Sequence, residues 1–469
     1  MSKTILLSPV THVHGTFDVT VTIENHRVSD ARASGTYFRG FEEMVHGRDP
    51  RDLGYFTSRI CGICSTAHNL VGTWAVENMV GIQVPLNAVL LRNIMLGADI
   101  LQNHIRHFYT LGLWDWVKPP PGTTMFETSN RDYRLPTSLN EDYVTFYNQS
   151  KDLARKAHEL TATFGAKAPH IHGIVVGGVS VHPEIDKIRR ALGLLKEIKD
   201  FIRTKMVPVA QSFGLYYPEY YLIGLGAPDM MTFGLFPDPL DGRLAFPEGV
   251  VFQEQPDQVQ PIDVKRITEA VTHSWYQDQP TTYPILEETE PYRQKESAYS
   301  WVKAPRYQGR AMEVGPLPRL IIKGSYRQGR GTLHRIQARM QEAAEVADYM
   351  EQALGRLEPC GPIYTQYEPP RYGESHARTG AMRGTLAYWL RVDSGKIEKL
   401  QIITPSAWAT SPRDERDQPG AMELALIGTP IEDEENPVEV GRIIRSYDPC
   451  ISCACHVLTA KGQSSFQVV

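Results

Sequence analysis

Residues 59–64 read Arg-Ile-Cys-Gly-Ile-Cys, and residues 448–456 read Asp-Pro-Cys-Ile-Ser-Cys-Ala-Cys-His. Each stretch contains a Cys-x-x-Cys pair, Cys61 with Cys64 and Cys450 with Cys453, and together they hold five of the six cysteines of the 469-residue chain. One turn of backbone brings residues i and i+3 together, so each pair can offer two thiolates to one metal ion. A site shared by both pairs would require the two ends of the chain to fold onto each other.

The cysteine spacing alone leaves more than one kind of site open. A structural zinc site of four thiolates could join the chain ends, since thiolates favour zinc, nickel and iron over calcium or magnesium. A thioredoxin-like redox pair is less favoured, because neither pair follows a strand that opens a βαβ unit. Structural zinc sites usually draw their cysteines from one local knuckle, so pairs at opposite chain ends favour a functional metal in the core. Cys360 and Cys455 are predicted to be buried thiols without a role.

The overall composition is that of an ordinary globular protein. Lysine and arginine number 49 against 54 aspartates and glutamates, which gives a formal charge of −5, and hydrophobic residues make up 42%. A chain this close to neutral has no electrostatic footprint for nucleic acid, so no nucleic-acid partner is expected. No apolar run is long enough to span a membrane, and the N-terminal apolar run is too short for a secretory signal. We expect a cytoplasmic chain, or one held at a membrane through its partners, with no signal of its own.

The hydrophobic pattern predicts an α+β fold in which helix predominates. Apolar residues spaced by three or four predict long helices over 88–111, 183–203 and 332–357. Alternating side chains over 17–23 and a further run from Arg27 predict an antiparallel hairpin, and strands return from Gly384 around a turn at 393–395. Residues 118–140 are predicted to form a loop, and residues 216–307 an irregular insertion. The expected architecture is a core bundle of long helices with small β-sheets near the N- and C-terminal thirds.

Three stretches carry a resemblance to a known family. The first stretch, residues 34–42, reads Ser-Gly-Thr-Tyr-Phe-Arg-Gly-Phe-Glu. The second is the cysteine stretch at 59–64 together with His68. The third is the cysteine stretch at 448–456 together with Ser-Pro-Arg-Asp at 411–414 and Ile-Gly-Thr-Pro at 427–430. With these residues the chain resembles the large, catalytic subunit of nickel-iron hydrogenases over essentially its whole length. The resemblance implies a single large-subunit domain over 1–456. It also implies a C-terminal extension, 457–469, that a maturation endopeptidase removes.

The resemblance implies a role for each of the four paired cysteines. Cys61 and Cys450 would be terminal nickel ligands, while Cys64 and Cys453 would bridge nickel to an iron that carries carbon monoxide and cyanide. The family reaction is heterolytic cleavage of dihydrogen, which needs a Lewis acid and a positioned proton acceptor. The thiolate of Cys450 is the first acceptor that the resemblance suggests.

The resemblance also implies roles for residues around the two metals. Arg383 would lie over the metals, and Asp448 would be among the groups that ring the open coordination position. Ser406, after Pro405, would hydrogen-bond an iron-bound cyanide, and His68 would be a structural hydrogen-bonding residue. A magnesium ion, or a similar divalent ion, would be bound near the C-terminus by Glu42, His456 and the carbonyl of Ile402.

The sequence departs from the family pattern at positions that concern protons. The family glutamate that passes protons from the nickel thiolate is His14 here, and the aspartate of the family His-Asp-His run is Asn103. Histidine can relay protons near neutral pH, so His14 is the candidate relay, although it could equally serve packing alone. Tyr388 stands where the family has a histidine. We expect the metal site to assemble and the proton to leave by another route than in the family.

Electron transfer requires a partner chain. Once the four ligands are used, Cys360 and Cys455 cannot form a four-cysteine nest for an iron-sulfur cluster. The resemblance therefore implies an iron-sulfur small subunit, in a heterodimer or a higher oligomer, that carries electrons from dihydrogen to an acceptor. The predicted function is hydrogen uptake. The alternatives are a hydrogen-sensing regulatory subunit and a structural metal-binding scaffold that has lost the activity.

Overall fold

The computed structural model describes residues 2–121 and 132–454 of the chain. Within these ranges the α-helices, in chain order, are α1 (Phe41–Met44), α2 (Leu53–Thr57), α3 (Ser65–Val80), α4 (Leu86–Arg106), α5 (Thr137–Gly165), α6 (Ile185–Phe201), α7 (Val207–Tyr216), α8 (Pro316–Lys323), α9 (Thr332–Gly355), α10 (Pro405–Ala409), α11 (Ala421–Leu426), α12 (Val438–Ser446) and α13 (Ile451–Ala454).

The strands are short except near the two ends of the chain. In order they are β1 (Lys3–Leu7), β2 (Phe17–Glu24), β3 (Arg27–Gly35), β4 (Ile174–Val175), β5 (Gly178–Val179), β6 (Asp229–Thr232), β7 (Leu235–Pro237), β8 (Leu244–Phe246), β9 (Gly249–Val251), β10 (Ile267–Ala270), β11 (Ala304–Tyr307), β12 (Met312–Glu313), β13 (Gly373–Ala381), β14 (Gly384–Asp393) and β15 (Lys396–Ile403).

The long helices pack on one another around α4. Helices α5 and α9 both contact α4, and α6 contacts α5 and α9. Helix α4 is buried on almost every side, from Asn87 to Ile105, and it buries polar as well as apolar side chains, of which Arg92 and Asn103 are hydrogen-bonded within the protein. The predicted helices over 88–111, 183–203 and 332–357 correspond to α4, α6 and α9. The first two run on through π-helical segments, His107–Gly112 after α4 and Ile202–Met206 after α6.

Two three-stranded antiparallel sheets lie near the chain ends. The first has the order β1-β2-β3, and the second has the order β13-β14-β15. The turn between β2 and β3 places Asn25 and His26 at positive φ, as a two-residue hairpin turn requires. Between the chain ends, residues 216–307 contain short strands and 3₁₀ turns. The predicted combination of helices with small sheets in an α+β fold is confirmed.

Two predictions about local structure are wrong. Helix α5 begins at Thr137, inside the segment 118–140 that the composition assigned to a loop, and it continues for 29 residues. Its buried side chains are few, and Tyr143, Ser150 and Ala157 follow one another at intervals of seven, so the apolar stripe is too sparse to recognise. Cys360, predicted to be buried, is exposed. Residues 122–131 of the predicted loop lie outside the described residues.

In the described ranges, no helix combines the length and the apolar character needed to cross a bilayer.

Candidate metal centre

The structure brings the four paired cysteines together in the core. The Sγ atoms of Cys61 and Cys450 are 3.5 Å apart, those of Cys64 and Cys453 are 3.2 Å apart, and those of Cys450 and Cys453 are 3.1 Å apart. All four sulfurs lie within 4.8 Å of one another, and all four side chains are buried. The two ends of the chain therefore form one thiolate site.

Local backbone structure presents each pair to this site. Cys61 follows a 3₁₀ turn, and Cys64 is the N-cap residue of α3. On the other side, Cys450 immediately precedes α13, and Cys453 lies within that helix. A chain that turns sharply between residues i and i+3 points both thiols the same way, which is the geometry that the Cys-x-x-Cys spacing predicts.

The second cysteine stretch is held against the N-terminal region by backbone contacts. The amide of Ile451 donates to the carbonyl of His14 over 2.7 Å, and the amide of His14 faces the carbonyl of Pro449 at 3.3 Å. Gly15 makes this approach possible. A Cβ atom at Gly15 would lie 2.8 Å from the backbone nitrogen of Ser452, and the φ of Gly15 is +86°.

Arg39 joins the two cysteine stretches to each other. Its Nη1 donates to the carbonyl of Ile60 over 2.5 Å and to the carbonyl of Ser452 over 3.0 Å, while its Nη2 donates to the carbonyl of Arg59 over 3.1 Å. One guanidinium thus bonds the backbone next to Cys61 and the backbone next to Cys453. Its planar fork of donors suits such a multiple contact.

Arg383 is carried into the core by the turn of a hairpin. It lies between the last residue of β13 and the first residue of β14. Its Nε donates to the carbonyl of Asp448 over 2.7 Å, and its Nη2 donates to Asp448 Oδ1 over 3.0 Å and to Asn103 Oδ1 over 2.7 Å. Asn103 Nδ2 donates in turn to Asp448 Oδ2 over 2.8 Å. The neutral side-chain amide of Asn103 therefore bridges Arg383 and Asp448, because its oxygen accepts from the arginine and its nitrogen donates to the aspartate.

Electrostatics keeps the Arg383–Asp448 pair ionised. Burial opposes the charge of both groups, but their mutual attraction raises the pKa of Arg383 above its usual value. Against the same burial, Arg383, His107 and Arg339 hold the pKa of Asp448 well below its usual range. Arg383 Nη1 is buried without a hydrogen-bond partner among the described residues. A permanent positive charge thus lies beside the sulfurs with one donor group unused.

The cysteine thiols differ in acidity. Hydrogen bonds from the sulfurs of Cys450, Cys453 and Cys64 lower the pKa of Cys61 well below its ordinary value. Burial raises the pKa of Cys64 and of Cys453 well above theirs. A thiol must lose its proton to bind a metal, so metal binding at this site releases protons and depends on pH.

A small cavity adjoins Cys64 and Cys453. It is lined by Cys64, Ala67, His68, Ala381, Met382, Arg383, Leu386, Pro405, Ser406 and Cys453. Most of its wall is apolar, and Ser406 accepts a hydrogen bond from the amide of Cys450 over 2.9 Å through its Oγ. Pro405 opens α10, whose N-cap residue, Thr404, accepts from the amide of Ala407. The helix start therefore fixes both residues beside the cysteines.

Two histidines near the cysteines are neutral at pH 7. Burial lowers the pKa of His14 to about 4, and Arg383 adds to the effect. Burial also lowers the pKa of His68 to about 4, and its Nδ1 lies 2.6 Å from the hydroxyl of Tyr388. His68 is therefore bonded within the protein, as a structural histidine would be.

The predicted magnesium ligands are described only in part. Glu42 is buried, and its Oε1 accepts from the amide of Ile402 over 2.9 Å. Burial raises the pKa of Glu42 to about 7, although Lys303 opposes the shift. The structure thus places Glu42 beside Ile402, whereas His456 lies outside the described residues.

Some functional contacts were not apparent in the sequence. Arg39 belongs to the stretch 34–42, but nothing in that stretch shows that its side chain reaches backbone carbonyls near both cysteine pairs. The bridging bonds of Asn103 were also missed, because an asparagine in a helix gives no sign of its partners. The positive φ of Gly15 could have been suspected from the His-Gly pair at 14–15, which is a weak signal.

The fold and the buried thiolate site define a metalloprotein whose two chain ends build one metal centre. The family model described as nickel-dependent hydrogenase matches residues 39–125, 123–358 and 325–456. The chain belongs to this family.

Relatives and solved structures agree with this assignment over nearly the whole chain. The periplasmic [NiFeSe] hydrogenase large subunit of Desulfomicrobium baculatum is 33% identical over 97% of this chain and 95% of the relative. The quinone-reactive Ni/Fe-hydrogenase large chain of Wolinella succinogenes is 30% identical over 99% of this chain and 97% of the relative. The structure of the Ni-Fe-Se hydrogenase from D. vulgaris Hildenborough superposes with a TM-score of 0.94 at 35% identity, covering 97% of this chain and 100% of that chain. The predicted identity as a nickel-iron hydrogenase large subunit, and hence as an oxidoreductase, is confirmed.

Proposed function

We propose that this chain is the catalytic subunit of a hydrogenase that cleaves dihydrogen heterolytically in the uptake direction. The observation that carries the proposal is the convergence of four buried sulfurs beside an ionised Arg383 that is fixed by three hydrogen bonds. A structural zinc site would need the thiolates but not the arginine, which costs free energy to bury.

The donor set fits a pair of soft metals. Cys61 and Cys450 would hold nickel as terminal ligands, and Cys64 and Cys453 would hold both nickel and an iron that carries carbon monoxide and cyanide. When bound, these metals would supply the Lewis acidity that polarises dihydrogen. Ser406 is the hydroxyl in the otherwise largely apolar cavity beside Cys64 and Cys453, which suits it to orient a diatomic ligand there.

Arg383 and its partners would hold the reacting groups in place. The cation stabilises thiolates nearby and helps to lower the pKa of Cys61. Asp448 balances the charge of Arg383, and Asn103 fixes their relative orientation without adding charge. Such preorganised polar groups act strongly in a site that excludes water.

The proton would pass first to Cys450 Sγ and then to His14. His14 stands where the family pattern has a glutamate, and its backbone is paired with the segment that carries Cys450. Because its pKa is about 4, the imidazole is free to accept a proton at neutral pH and would release it readily. Hydrogen/deuterium exchange by a His14→Ala variant tests this role, since turnover equal to that of the wild type would exclude His14 as the relay.

A divalent ion such as magnesium would be held by Glu42, the carbonyl of Ile402 and His456. The support is chemical: a buried carboxylate with a pKa of about 7 is only partly ionised, and a bound cation would keep it ionised.

Electrons would pass to an iron-sulfur small subunit. The large chains matched above belong to hydrogenases, and one is named quinone-reactive, which supports transfer of electrons from dihydrogen to an acceptor. The complex would be cytoplasmic or attached to a membrane through partners. Removal of residues 457–469 by an endopeptidase would complete the large subunit.

Hydrogen-dependent dye reduction by the purified complex, with nickel and iron quantified, tests the function. We expect rapid reduction that is lost in Cys64→Ser and unchanged in Cys360→Ser, because Cys360 is exposed and is not among the four sulfurs that converge. Slow turnover with full metal content would indicate the hydrogen sensor, and zinc in place of nickel would indicate the structural scaffold. Infrared bands of iron-bound carbon monoxide and cyanide separate these two alternatives.

A further inference from the structure

A surface cleft of about 660 Å³ lies between the 216–307 insertion and the segment that joins α8 to α9. Its floor is made by Met230, Val251 and Ile322, which form a small buried apolar cluster of their own. This volume is within the range of small-molecule sites. Val259, which is half-exposed, adds accessible apolar surface to the wall, so the cleft combines room for a ligand with an apolar lining.

The rim of the cleft carries two arginines on a glycine-rich segment. Residues 324–331 read Gly-Ser-Tyr-Arg-Gln-Gly-Arg-Gly, so Arg327 and Arg330 are three residues apart. Tyr326 anchors the segment, because its ring is buried and its hydroxyl lies 2.8 Å from Nδ1 of His334. The two guanidiniums are thus presented by a segment that is fixed at its centre.

Neither arginine has a partner in the parts of the chain that the structure describes. No hydrogen bond or ion pair involves the guanidinium of Arg327 or of Arg330, whereas the nearby Arg335 is paired with Glu313 at 2.5 Å. Asp257 is the carboxylate on the cleft wall, so the lining has an excess of one positive charge. Arginine donors match carboxylate and phosphate oxygens in geometry as well as in charge.

We propose that this cleft binds an amphipathic anion, with its carboxylate or phosphate at Arg327 and Arg330 and a single apolar chain along Val259 and over the floor of Met230, Val251 and Ile322. Charge complementarity selects the anionic head, and the apolar lining selects the chain. The ligand could be a free acid or ester, or the headgroup end of a membrane lipid. Both have the same chemistry at this site.

Titration calorimetry with decyl phosphate, below its micelle concentration, tests the proposal on the purified complex. We expect binding that is at least tenfold weaker for butyl phosphate and weaker still for inorganic phosphate, because they cover less of the floor. The Arg327→Gln/Arg330→Gln double variant should weaken decyl phosphate binding at least tenfold, while Arg189→Gln, at an exposed position of α6, should leave it unchanged. Equal affinity in the double variant and the wild type, or no dependence on chain length, would overturn the proposal.

Vesicle co-sedimentation identifies the source of the ligand. Binding to phosphatidylglycerol vesicles but not to phosphatidylcholine vesicles, with loss in the double variant, would support the site and assign it to an anionic lipid. Binding of decyl phosphate without vesicle binding would support the site and assign it to a free organic anion. Absence of both would overturn the proposal, whatever the hydrogenase activity of the complex.

Discussion

Replacing Arg39 by alanine should open the contact between the two cysteine stretches. The change removes hydrogen bonds to the carbonyls of Ile60, Arg59 and Ser452. A hydrogen bond to a charged group contributes about 1.5–3 kcal/mol, and Arg39 is only half-buried, so water replaces part of what is lost. We take about 3 kcal/mol for the set, which is roughly a 100-fold rise in the population of the open form.

Amide hydrogen exchange measures this opening directly. The amides of Ile451 and Cys453 donate to the carbonyls of His14 and Cys450, so both should exchange about 100-fold faster in Arg39→Ala. Nickel content should fall as well, because the thiolates no longer converge. Arg51→Ala is the matched control, since Arg51 forms an exposed pair with Asp49 away from the cysteines. Exchange rates within threefold of the wild type, together with full nickel content, would refute the role of Arg39.

Three further predictions concern single residues. Gly15→Ala should abolish nickel loading, because the new Cβ would lie 2.8 Å from the Ser452 nitrogen. The control Gly47→Ala should load normally, since Gly47 is also at positive φ but has no atom within 4 Å of a Cβ. Equal nickel content in the two variants would contradict this prediction. Asn103→Ala should lower the rate of hydrogen oxidation roughly 100-fold at unchanged nickel content, because the hydrogen bonds that link Arg383 and Asp448 through Asn103 are lost. The control Asn78→Ala, on the surface, should leave the rate unchanged. An unchanged kcat in Asn103→Ala would argue against a role for the bridge. Burial raises the pKa of Glu423 to about 7, so between pH 4.5 and 7 the folded protein binds more protons at this residue than the unfolded protein does. The free energy of unfolding should therefore fall by about 3 kcal/mol as the pH rises through that window. Denaturant unfolding of Glu423→Gln at several pH values should lack this part of the pH dependence.

The metal ligands were predictable because their spacing is local and their chemistry is rare. Two Cys-x-x-Cys pairs among six cysteines stand out in any chain, and the long helices α4, α6 and α9 follow from strong apolar periodicity. Helix α5 could not be predicted from the apolar pattern, because its buried positions are sparse along 29 residues.

The remaining contacts of the site depend on the folded chain. Arg39 bonds carbonyls that lie about 20 and more than 400 residues away, and backbone carbonyls have no sequence signature. The Asn103 bridge likewise depends on the hairpin turn that brings Arg383 to α4. Burial, which makes His14 neutral, is a property of the surrounding fold and not of the residue type.

The proposed nickel-iron pair would be held by sulfurs from both ends of the chain. X-ray absorption at the nickel edge of the purified complex shows which atoms surround the metal. We predict a first coordination sphere dominated by sulfur, with iron as a nearby scatterer, and loss of both signals in Cys453→Ser. Nickel surrounded by nitrogen and oxygen, or a site filled by zinc alone, would contradict ligation by the four cysteines.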